Sequence, residues 1–107
     1  MRPGTREGVI TVEEALQTAA RAADPDQRNE GVSALLLAFE GDARPAPAAE
    51  DLEGELRSAA SEIDPEGVDP PVVLTAAAAL WLATNPGDAD DPERVIREGS
   101  RLFGLES

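Results

Sequence analysis

Apolar positions along this chain fall into helix-like stripes separated by proline- and glycine-bearing turns, and one stripe is apolar on every side. Residues 72–83 carry no charge and include the single tryptophan, Trp81. A helix without a polar face must be enclosed by other elements. This one is also shorter than the roughly 20 apolar residues that cross a bilayer. The pattern therefore predicts a central buried helix.

The flanking stripes predict four more helices. Val12, Leu16, Ala19 and Ala23 share one face of a helix over 12–23, and Thr11 and Glu14 have capping-box spacing at its start. Asp24 and Pro25 then read as N-cap and first residue of a second helix. Its buried face is Val32, Leu35, Leu36 and Phe39, with Leu37 off the stripe. A third helix over 49–63 places Leu52, Leu56, Ala59 and Ile63 inward. Asp64 and Pro65 open a turn, and Asp69 caps the central helix. Asn85, Pro86 and Gly87 stop that helix. Asp91 and Pro92 start a fifth, whose buried face is Val95, Ile96, Gly99, Leu102 and Phe103. The recurring Asp-Pro pair reads as a shared capping device, without the periodicity of a solenoid.

These elements define an all-α fold: a compact bundle of about five short helices around the helix at 72–83. The nearest alternative is a four-helix arrangement with the first or last helix loosely attached. Residues 1–8 are expected to form a flexible tail. Residues 9–105 are expected to make one domain, with a Pro/Ala linker at 41–48.

Composition narrows the function. Twenty-two acidic residues face nine basic ones, all arginine, for a net charge of -13. Such a surface opposes direct nucleic-acid binding and contact with anionic membranes. It is explained by a salt-adapted (halophilic) cytoplasm, by a GC-rich genome, or by a basic partner. Histidine, cysteine, tyrosine and lysine are absent. That removes His- or Cys-assisted nucleophilic catalysis, Schiff-base chemistry and the usual zinc sites. No catalytic, cofactor-binding or metal-binding residue is assigned, and the chain is expected to be non-enzymatic. Residues 88–93 are rich in carboxylates, but Pro92 and Glu93 stand where a calcium loop needs a ligand and a glycine. With no apolar signal core after Met1, a cytoplasmic location is expected.

What remains is recognition. The leading expectation is a small protein–protein interaction module, binding another protein or a second copy of itself through Leu37, Trp81, Leu102, Phe103 or Leu105. The alternative is an inhibitor that mimics nucleic acid toward a basic DNA- or RNA-binding protein, using an acidic face of Glu50, Asp51, Glu53, Glu55 and Glu62. Arg94, Arg97 and Arg101 form the one basic stripe. It is expected to pair with carboxylates of the third helix or the loops.

Overall fold

A computed structural model describes residues 10–46 and 50–104. Five helices follow in order: α1 (Val12–Ala23), α2 (Glu30–Ala38), α3 (Leu52–Ile63), α4 (Pro70–Thr84) and α5 (Pro92–Leu102), with a 3-10 turn at Pro86–Asp90. The expected tail at 1–8, the linker's last two residues and the expected helix start at Ala49 lie outside the described residues.

The capping box at the head of α1 forms in full. Glu14 N–H donates to Thr11 Oγ1, and Thr11 N–H donates to Glu14 Oε1, both at 3.1 Å. A helix start leaves further N–H groups without partners. Here Val12 and Glu13 donate to the carbonyls of Arg44 and Asp42, and Ala46 N–H donates to Ile10 O. The first part of the expected linker is thus tied to the head of α1.

α4 is the enclosed helix that its composition demands. Val72, Thr75, Ala76, Ala77, Ala78, Ala79, Leu82 and Ala83 are buried, and α1, α2, α3 and α5 all pack against it. The alanine run lets neighbouring backbones approach closely. Gly99 of α5 uses this: a Cβ there would stand 2.7 Å from the carbonyl carbon and oxygen of Ala77. Thr75, fully buried, donates its hydroxyl to Pro71 O at 2.8 Å, so this hydroxyl is not stranded in the core.

The second helix starts later than the Asp-Pro signal suggests. Asp24 ends α1, and α2 begins at Glu30, capped by Asn29, whose Oδ1 accepts from Val32 N–H at 2.8 Å. The Asp24 carboxylate instead spans the loop, accepting from Arg28 N–H at 3.3 Å and Asn29 N–H at 2.9 Å. Asp64 does the same after α3, accepting from Val68 N–H at 3.0 Å and Asp69 N–H at 2.8 Å. The fourth loop residues, Gln27 and Gly67, both have left-handed backbones, with φ of 55° and 67°.

The chain therefore contains one helix–loop–helix unit twice. Asn29 and Asp69, at the same loop position in each unit, are 40 residues apart. The bounds of α1 and α3, and the starts of α2 and α4, keep the same offset. The first helix of each hairpin packs on the second helix of the other, α1 on α4 and α3 on α2, and α2 also meets α4. This crosswise packing is that of two units related by an approximate two-fold, unlike a solenoid stack, which sets first helix on first helix. The Asp-Pro pairs are thus marks of a structural duplication as well as a shared local device.

Three smaller expectations change. α3 begins at Leu52, because Asp51 takes a left-handed backbone, with φ of 56°, in the turn before it. Asp69 stands at the N-cap of α4 without a side-chain cap bond, its carboxylate being turned to Asn29. In α5 Leu102 is exposed, and Ser100 is buried in its stead. The close contact at Gly99 fixes the rotation of α5 and directs Val95, Gly99 and Phe103 inward.

Candidate functional site

Three large apolar side chains are exposed among the described residues: Leu37 at 66%, Val68 at 74% and Leu102 at 43%. Leu37 sits on the outer face of α2, as its position off the buried stripe implies. Val68 is one that pattern reading missed. It belongs to no helical stripe, and only the loop geometry, with Asp64 holding its N–H, turns its side chain outward.

The other apolar candidates are engaged. Phe103 is buried, and the Arg57 guanidinium lies 4.2 Å from its ring centroid, a stacking contact between cation and aromatic face. Trp81 is half-buried against the core. Its indole Nε1–H donates to Asp88 Oδ2 at 2.8 Å, and Arg94 Nε donates to the same oxygen at 3.1 Å. Leu105 lies outside the described residues.

The carboxylates proposed for an acidic face do not share one environment. Glu50, Asp51, Glu53 and Glu62 are exposed and Glu55 is half-buried. Glu53 pairs with Arg57 one turn on, at 2.9 Å. Glu55 pairs with Arg44 at 2.8 Å, and the same guanidinium holds Asp42 at 2.6 Å. The hydrogen bonds from Arg44 hold the Asp42 and Glu55 carboxyls below the usual carboxylate range, and both carboxylates hold the proton on Arg44 more firmly. Arg44 therefore clips the segment after α2 onto the first turn of α3. No signal in sequence spacing marks this contact, which joins residues 11 positions apart through a fold-dependent turn.

The basic stripe of α5 finds its partners nearby rather than on α3. Arg94 reaches Asp88 of the 3-10 turn, Arg101 reaches Glu98 at 3.4 Å, and Arg97 lies 3.8 Å from Glu98. The carboxylate-rich loop is spent on structure: Asp88 serves Trp81 and Arg94, and Asp91 caps α5 by accepting from Arg94 N–H at 3.3 Å. Among the described residues no group of three acidic side chains is arranged to hold a metal ion, and no helix is long and apolar enough to cross a membrane.

Two adjoining open depressions lie on the first hairpin. One depression of about 380 Å³ is lined by α1, the loop after it and α2, including Gln17, Ala20, Val32 and Leu36. A second of about 330 Å³ adjoins it through Gln17, Ser33 and Leu36, and continues to Glu13, Leu37 and Glu40. Together they form a groove with leucines on its floor and carboxylates at its outer end. It offers apolar contact and charge recognition. No protein-family model, curated protein or solved structure matches this chain.

Proposed function

We propose that this protein is a non-enzymatic interaction module that binds another protein through exposed apolar residues. The observation that carries the reading is Leu37, which is 66% exposed beside the α1–α2 groove. Isolated exposed leucines are ordinary on protein surfaces. This one stands over a groove, which is what an interaction anchor requires. The acidic-mimic reading draws less support, since Glu53 and Glu55 are each paired with an arginine.

The test immobilises the full chain and compares what it retains from an extract of its own cells with what Leu37→Asp and Leu102→Asp variants retain. The expected result is loss of a retained protein in at least one variant, with thermal melts matching the parent. Retention that survives both substitutions contradicts the reading.

A further inference from the structure

The two hairpins carry corresponding grooves, and Phe103 walls only one of them. In the second hairpin, Arg57, Ala60, Ser61 and Val73 line a groove of about 420 Å³, and Phe103, just past α5, forms one of its walls. Further along α4, Gly99 closes over Ala77 and Ala78. The positions 40 residues earlier, by the offset that joins Asn29 to Asp69, are Gln17, Ala20, Arg21, Ser33, Leu37 and Ala38. The first four line the 380 Å³ groove, all of whose walls come from α1, α2 and their own loop. Leu37 and Ala38, the counterparts of the two alanines under Gly99, are exposed.

We infer that the groove of the first hairpin is a seat for a basic amphipathic helix of another protein, carrying an aromatic side chain where Phe103 stands in the second hairpin. The inference rests on the interaction-module reading and names the class of partner. The fold itself shows what such a seat accepts: a small residue against the second helix of the hairpin, followed one turn later by an aromatic at the groove wall. The charge of the partner follows from the flanks. Glu30 at the start of α2 and Glu40 just past its end are exposed, and Glu13 and Glu40 line the groove beside Leu37. At the inner end Arg21 and Asp24 offset one another. A second copy of this chain would set Glu30 and Glu40 against their own equivalents, within a net charge of -13. Residues 1–9 hold no aromatic to fill the groove.

The test titrates a synthetic amidated peptide into the isotope-labelled full chain at about 0.15 M salt, where long-range attraction is screened. The peptide is a Leu/Ala helix with Lys and Arg on its outer face, and with Gly and Phe four positions apart. A control has the same composition in scrambled order. The expected result is that amide shifts centre on Gln17, Ser33 and Leu37, and that replacing the peptide's Phe with Ser or using a Leu37→Ser chain each weakens binding by about tenfold or more. Three results overturn the inference. These are shifts that spread over the α3 carboxylates equally with the scrambled peptide; a Leu37→Ser chain that titrates like the parent; and movement of the same amides on dilution without peptide, which assigns the face to a second copy. If capture from extract depends on Leu102 while the peptide does not seat here, the module reading stands and this seat falls.

Discussion

Asn29 Nδ2 donates to Asp69 Oδ1 at 2.7 Å, and the two residues occupy the same loop position in the two hairpins. A contact between equivalent positions is the mark of an interface close to a two-fold axis. Here it is half-buried and joins the starts of α2 and α4. Asn29 serves both units at once: its Oδ1 caps α2 while its amide holds the other loop.

This double use sets an order among variants. Asn29→Ala removes the cap and the cross-link, and is expected to cost about 1–2 kcal/mol for the cap alone. Asp69→Ala removes only the cross-link, and is expected to cost about 1 kcal/mol. Asp69→Asn keeps an acceptor oxygen and is the mildest. Denaturant midpoints check the order. Equal loss from Asn29→Ala and Asp69→Asn contradicts the assignment.

The left-handed loop position gives a second comparison. Glycine adopts this backbone freely, whereas a side chain there is strained. Gly67→Ala is expected to cost about 1 kcal/mol, and Gln27→Gly to gain up to about 1 kcal/mol. A Gln27→Gly chain that melts below the parent shows that the two loops do not share one geometry.

Close approach of α5 to α4 makes Gly99 intolerant of a methyl group. Helix propensity alone favours alanine by about 1 kcal/mol. Against it stands the backbone of Ala77, 2.7 Å from the new Cβ, and overpacking of this kind costs about 1–3 kcal/mol. Gly99→Ala is expected to lower the melting temperature. Gly87→Ala, with nothing within 4 Å of its Cβ, is expected to change stability by less than about 0.5 kcal/mol. Thermal melts of the two variants separate packing from propensity.

The Arg44 clip predicts a pH dependence with a definite sign. Asp42 and Glu55 bind protons less readily in the folded chain than ordinary carboxyls do. Their contribution to stability is therefore complete above the ordinary carboxylate range near about pH 4. It is lost as pH falls through their lower folded values. Arg44→Gln is expected to be less stable than the parent at neutral pH, with the difference closing on acidification and shrinking in salt. Arg44 and Glu55 face solvent, so the difference is small. Denaturation midpoints from neutral to acid pH measure it, and a gap that stays constant contradicts the account.

Much of the architecture is legible in the sequence because it rests on local rules. A segment with no polar face had to be enclosed, and α4 is. Thr11 and Glu14 had capping-box spacing, and both bonds form. Leu37 fell off the buried stripe of α2 and is exposed. The misread points are those where one signal serves two geometries. Asp followed by Pro marks a helix start, as at Asp91, but an Asp that ends one helix can also bind N–H groups four and five residues ahead, as Asp24 and Asp64 do. The duplication was hidden because counterparts differ in chemistry while sharing a backbone: Gln17 with Arg57, Leu37 with Ala77, Gln27 with Gly67. Those differences leave Leu37 exposed where its counterpart Ala77 lies under Gly99 of α5. Pairing of Arg44 and Arg94 depends on which elements meet, whereas Glu53 with Arg57 and Glu98 with Arg101 follow helical spacing.

The central claim is that corresponding positions on α4 and α2 differ in cover, Ala77 lying under Gly99 of α5 and Leu37 standing exposed. The chain has no cysteine, so a single introduced thiol reports only its own position. The direct measurement is the rate at which Leu37→Cys and Ala77→Cys react with a thiol reagent under native conditions, with the unfolded chain as reference. The account predicts that the thiol at 37 reacts at nearly its unfolded rate. The thiol at 77 should be slowed by about a hundredfold or more, because its exposure requires the packed helices to open. Similar native rates at the two positions would contradict it.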